Sequence, residues 1–202
     1  MNLNVKYNRL IHIYILFVLV FAFNCIQQLE AKILMSPYLQ AVTQNSIYIM
    51  VESDDKEPVK AIYFEPNNEE IKFEAVTEFY KETKAKRKNP YIQRIKLINL
   101  KPGTVYKYFA IEGESKSEVS SFKTAALPGT NFRMAIMGDT RSNPDVHSIV
   151  AKEIKKHNPD FSLYTGDLCF SHEYYSWKKE FFIPDQLNLI SSVPFFNAVG
   201  NH

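Results

Sequence analysis

Three short stretches of this 202-residue chain close in the same way: an apolar run, a glycine, then a side chain able to ligate a metal. They are Phe132 to Asp139, ending on Gly138-Asp139; Phe161 to Asp167, ending on Gly166-Asp167; and Pro194 to His202, ending on Gly200-Asn201-His202. Each apolar run reads as a buried strand, and each glycine lets the backbone turn sharply where the strand ends. Open α/β sheets bind their ligands just beyond the carboxyl ends of their strands. A lone Gly-Asp occurs by chance in a chain of this size. Two at the ends of consecutive strands, followed by a third oxygen ligand at the end of another, point to metal-dependent hydrolysis.

The elements that must position these residues follow from periodicity. After the strand at Phe132 to Met137, Asn143-Pro144 has the form of a helix N-cap with proline in the first turn. Val146, Ile149, Val150 and Ile154 then fall at helical spacing, with Lys155, Lys156 and His157 at the carboxyl end. The next strand is Phe161 to Thr165. Strand, helix and strand form a βαβ unit, so the two strands should be parallel and bring Asp139 and Asp167 to one edge of a sheet. Tyr174 to Ile190 predicts a second, partly helical crossover, interrupted at Pro184, leading to the strand Pro194 to Val199.

From Ile33 to Leu127 the pattern differs. Alternation with period two, as in Ile47, Ile49 and Val51, recurs in Val59 to Glu65, Ile71 to Tyr80, Tyr91 to Leu97, Val105 to Ile111 and Glu118 to Thr124. Short strands at this density predict a β-sandwich. Leu100-Lys101-Pro102-Gly103-Thr104-Val105-Tyr106 reads as a tyrosine corner, or as an ordinary Pro-Gly hairpin with a buried tyrosine. Ala126-Leu127-Pro128-Gly129-Thr130 separates this segment from the α/β segment.

Composition is that of an ordinary folded protein, and the formal net charge of +2 gives no general attraction to nucleic acid. The basic stretch Lys81 to Lys88 reads as a solvated loop. Lys6 and Arg9 precede the apolar run Leu10 to Phe23, which is shorter than the roughly 20 residues of a membrane span. Residues 1–31 therefore read as an export leader, placing the protein in the periplasm, on the cell surface or outside the cell. Cleavage after Ala31, lipidation at Cys25 and an uncleaved anchor remain open; the last two are the only expected membrane contacts. Leader cleavage would leave Cys169 alone, so no structural disulfide is expected.

The order Gly138-Asp139, Gly166-Asp167, Gly200-Asn201-His202 resembles the calcineurin-like metallophosphoesterases. Ser36-Pro37-Tyr38-Leu39-Gln40, the Leu100 to Tyr106 corner and Ser121-Phe122-Lys123-Thr124-Ala125 resemble the fibronectin type III-like domain that precedes the catalytic domain in purple acid phosphatases. The resemblance implies a fibronectin type III-like sandwich over 32–127, followed at 131–202 by a partial α/β metallophosphoesterase domain. It implies hydrolysis of a phosphate ester by hydroxide on two divalent or mixed-valence ions (iron, zinc or manganese). Asp139 would bind the first ion, Asp167 bridge both and Asn201 bind the second; His202 would meet the phosphate and protonate or stabilise the leaving oxygen. Two cations about 4 Å apart offset the phosphate charge and produce hydroxide near neutral pH.

Two positions depart from these relatives. Phe170 stands where purple acid phosphatases carry a metal-binding tyrosine, and Arg141 where many family members carry a histidine. Neither can ligate a metal. Arg141 reads either as a phosphate clamp or as a surface or salt-bridged arginine. Cys169 reads as a buried small residue, and His147 and His172 as helix-surface or loop residues. The family's later histidine blocks do not occur in this sequence, so the chain reads as an amino-terminal part, inactive by itself and with one sheet face unpartnered. The competing reading is a cell-surface binding module with a degenerate phosphoesterase segment.

Overall fold

The computed structural model describes residues 33–54, 58–64, 70–74 and 91–202. The leader with Cys25, the basic stretch Lys81 to Lys88 and the latter part of the expected strand Ile71 to Tyr80 lie outside the described residues. The strands are β1 (Ile33–Gln40), β2 (Ile47–Ser53), β3 (Lys60–Phe64), β4 (Glu70–Glu74), β5 (Tyr91–Leu97), β6 (Val105–Glu112), β7 (Ser115–Lys116), β8 (Ser120–Lys123), β9 (Met134–Met137), β10 (Phe161–Tyr164) and β11 (Phe195–Asn197). Helix α1 is Pro144–Lys156; α2 (Tyr174–Ser176) runs directly into a π-helical turn, Trp177–Phe181; α3 is Pro184–Ile190. No helix among the described residues is long and apolar enough to cross a membrane.

Alternation in the amino-terminal segment produces two facing sheets. Ile47, Ile49 and Val51 of β2, with Leu39, Ile95 and Leu97, pack against Ala61, Tyr63, Tyr106, Tyr108, Ala110 and Phe122 of the second sheet. In that second sheet β3 and β6 are central, flanked by β4, β7 and β8. The tyrosine corner is formed: the Tyr106 hydroxyl accepts the Lys101 amide at 2.7 Å. The strand expected over Glu118 to Thr124 is present as β8, and the short β7 precedes it after a turn in which Gly113 takes φ +55°.

The first sheet does not stop at the sandwich. Its order is β5-β2-β1-β11-β10-β9, with β1 parallel to β11 through Gln40 and Phe195. Strands β9, β10 and β11 are parallel to one another, as a βαβ arrangement requires. Strand β1 faces two cores. Leu39 enters the sandwich, while Met35 and Tyr38 enter a second core with Ala151, Tyr164, Phe181, Phe182, Leu189, Ile190 and Phe195. Polar links reinforce this arrangement: Tyr108 donates to the Ser191 carbonyl at 2.7 Å, and the buried Glu52 accepts from Tyr174 at 2.6 Å and Lys178 at 2.7 Å.

Helix α1 begins as expected, with the Asn143 side chain accepting the Val146 amide at 3.2 Å and Pro144 in the first turn. Of its apolar residues at helical spacing, Ile154 packs partly buried against the second core. His147 and Ala151 are buried, while Val146, Ile149 and Val150 are exposed. His147 is therefore a core residue and not the helix-surface residue its sequence context indicates. Its ring lies 3.0 Å from the Glu180 carbonyl and 3.1 Å from the Gln186 side chain, and these contacts permit burial of a polar ring. The opposite face of the β9–β11 sheet presents Phe132, Met134, Ile136 and Phe196 to the exterior, so no layer among the described residues covers this sheet face.

Candidate functional site

The site stands at the carboxyl ends of β9, β10 and β11. Past the last paired residues, Thr165 donates to the Met137 carbonyl at 2.9 Å and Asp139 to the Gly166 carbonyl at 3.0 Å, keeping the first two turns side by side. Asp139 and Asp167 both take positive φ, +55° and +53°. A left-handed conformation is uncommon for a residue with a side chain, and such conformations concentrate at functional sites.

The second and third signatures touch backbone to backbone. A Cβ on Gly166, which has φ +110°, would lie 2.9 Å from both the Cα and the nitrogen of Gly200. A Cβ on Gly200 would lie 1.9 Å from Oδ1 of Asp167 and 2.5 Å from its nitrogen. Glycine is thus required at both positions so that Asp167 can lie against the Gly200-Asn201-His202 segment. The His202 amide completes the contact by donating to Asp167 Oδ1 at 3.1 Å.

Around this centre exposure differs sharply. The Asp139 side chain is 74% accessible, and that of Asp167 only 15%. Arg141 spans them: its Nε is 3.0 Å from Asp139 Oδ1, and an Nη is 3.5 Å from Asp167 Oδ2. Arg141 thus links the two carboxylates by ion pairs. The His202 ring places Nδ1 3.0 Å from the Phe170 carbonyl. A carbonyl only accepts, so Nδ1 carries the proton and Nε2 is left for other partners. The exposed Phe170 ring lies 5.4 Å from the His202 ring.

The remaining candidates separate cleanly. Cys169 is buried, with its thiol on the Ser171 carbonyl at 3.1 Å; burial and the nearby Glu180 charge push the thiol pKa up, as befits an inert side chain. Glu180 joins the site without a mark in the sequence. Its carboxylate accepts the Ser142 amide at 3.0 Å and the Phe170 amide at 3.1 Å, and so touches the turns after both β9 and β10. Behind it, His147, Gln186 and Tyr164 form a buried chain in which Gln186 donates to the Tyr164 hydroxyl at 2.5 Å. Burial raises the Tyr164 pKa to about 12, so this phenol remains a neutral hydrogen-bonding group. A glutamate in an aromatic-rich helical stretch carries no sequence signal of such a role.

Asp139, Asp167 and Asn201 offer oxygen donors of the kind hard divalent cations take. Among the described residues no three His, Cys, Asp or Glu side chains gather as one cation-holding group. The donors therefore fit a hard cation in chemistry, while three of them do not complete two coordination spheres.

The sequence matches no family model and no curated protein. The fold is similar to that of PhoD, with a TM-score of 0.60 over 83% of this chain at 13% identity. The chain spans 38% of the length of PhoD. Partial likenesses extend to the sensor domain of the anti-sigma factor RsgI4 of Pseudobacteroides cellulosolvens, at 21% identity and TM-score 0.35, covering 50% of this chain and 94% of that one. The FN5 domain of Drosophila Lar is similar at 13% identity and TM-score 0.33, covering 48% of this chain and 97% of that one. The chain thus has a sheet-rich, PhoD-like fold.

Proposed function

We propose that this chain is an exported, metal-dependent phosphoesterase. Residues 1–31 would be its signal peptide, 32–127 its fibronectin type III-like domain, and 131–202 part of its calcineurin-like phosphoesterase domain. The observation that carries the reading is the contact of Gly166 with Gly200, which sets Asp167 against Asn201-His202 beyond adjacent parallel strands. The PhoD-like fold supports a phosphoesterase-type hydrolase.

In this reading Asp139, Asp167 and Asn201 hold the cations (iron, zinc or manganese), which when bound offset phosphate charge and activate water. Asp167 also fixes the third turn by accepting the His202 amide. The Phe170 carbonyl holds Nδ1–H, so Nε2 faces the leaving oxygen and, in the doubly protonated ring, is the nitrogen that gives it a proton. Guanidinium N–H groups of Arg141 not engaged by Asp139 and Asp167 can receive a phosphoryl oxygen.

A second reading, a cell-surface binding module with a degenerate phosphoesterase segment, is favoured by one observation: Arg141 already supplies positive charge between the two carboxylates. Cation content and aryl-phosphate turnover of the full-length protein separate the two. Asp167→Asn should lower both together, and Phe170 in place of a tyrosine should leave the protein without a visible charge-transfer band. Full turnover with cation retained in Asp167→Asn would remove Asp167 from the cation site, and absence of turnover and cation in the full-length wild-type protein would leave the binding module.

A further inference from the structure

Two turns bear the candidate ligands Asp139 and Asp167, and one side chain outside both holds them. Glu180 lies in the π-helical turn Trp177–Phe181, where the Phe182 amide reaches back to the Trp177 carbonyl at 2.8 Å. Such turns are rare and occur often at functional sites. One carboxylate oxygen, Oε2, accepts from Ser142, three residues after Asp139, and from Phe170, three residues after Asp167. The other, Oε1, accepts from the Ser176 hydroxyl at 3.2 Å, and that hydroxyl accepts the Ser171 amide, also at 3.2 Å. The Glu180 carbonyl meanwhile faces the buried His147 ring, tying the turn to α1.

We infer that Glu180 is a positioning residue, a carboxylate clamp that fixes the spacing of Asp139 and Asp167. It touches no substrate itself. Hydrogen bonds from main-chain amides to a carboxylate are charge-assisted and short, so a single group can impose one geometry on two otherwise separate turns. Groups that orient metal ligands commonly change affinity 10- to 100-fold when removed. This part of the inference rests on the phosphoesterase reading above; the clamp itself does not.

The test compares Glu180→Ala and Glu180→Gln with Asp185→Ala. Asp185 joins α3 to α1 through Ser148 and Lys152 without touching either turn, so its loss reports general loosening. Amide hydrogen exchange at Ser142 and Phe170 and Mn²⁺ affinity by calorimetry are the two readouts. Glu180→Ala should speed exchange at both amides by at least about tenfold and weaken Mn²⁺ binding by about 10- to 100-fold. Glu180→Gln keeps one carbonyl oxygen and should fall between, and Asp185→Ala should change neither. Unchanged exchange in Glu180→Ala, or an equal rise in Asp185→Ala, overturns the clamp. If the wild-type protein binds no Mn²⁺, the cation reading fails, and the exchange rates decide the clamp by themselves.

Discussion

The ammonium of Lys123 meets the carboxylate of Asp160 at 2.7 Å, joining the last strand of the sandwich to the turn that enters β10. Burial alone would raise the Asp160 pKa. The hydrogen bond from Lys123, that from the Arg133 amide and the two positive charges outweigh it, and the carboxyl group is held below its usual range. In acid the unfolded chain then binds the proton more readily than the folded one, so this contribution to stability increases with pH. It is complete above the ordinary aspartate value of about 4 and is lost as pH falls through the folded value. Asp160→Asn should therefore flatten the fall in Tm on acidification. An unaltered Tm profile from pH 6 to pH 2, measured by circular dichroism, would show that the pair has no such role.

Gly200→Ala should be far more damaging than an ordinary surface substitution. The new methyl would meet Asp167 at its nitrogen as well as its carboxylate, so rotating one side chain cannot relieve the clash. Overpacking of this kind costs about 1–3 kcal/mol. Denaturant unfolding gives the stability change, and calorimetry with Mn²⁺ should show weakened binding as Asp167 is displaced.

His202→Ala should separate proton transfer from cation binding. The side chain is exposed and its ring contact is with the Phe170 carbonyl, so its removal leaves Asp139, Asp167 and Asn201 in place. Cation content should stay at the wild-type level, while kcat on an aryl phosphate falls by about 10²- to 10⁴-fold. Loss of cation together with turnover would instead make His202 a ligand.

Helix α1 allows a test of which face is buried. Ile149→Ser, on the outward face, should change unfolding free energy by no more than about 0.5 kcal/mol. Ala151→Leu, on the fully buried face, should cost about 1–3 kcal/mol. Thermal melts of the two variants reverse in rank if the apolar stripe of the sequence is the packed one.

Local signals in the sequence were reliable where one residue type has one structural use. Asn143-Pro144 formed its cap, Tyr106 its corner and the Gly-Asp pairs their turns. The buried face of α1 was not legible, because apolar spacing cannot reveal that Glu180 and Gln186 provide partners for His147. Glu180 was not legible for the same reason: its contacts are with two main-chain amides away from it in sequence. Nor could periodicity show that β1, inside the segment read as a sandwich, would also pair with β11. Strand β1 satisfies both roles because it is buried on both faces over Pro37 to Leu39, with Leu39 in one core and Tyr38 in the other.

The pairing of Gln40 with Phe195 imposes an order on synthesis. As the chain leaves the ribosome, β1 can pair with β2 at once, but its other edge finds no partner until the chain has been made through β11. Until then an unpaired strand edge, with Met35 and Tyr38 uncovered, is open to other chains. The amino-terminal half can condense early, yet its β1 edge is sealed only by a strand made much later, and aggregation during expression should track delays in reaching Phe195.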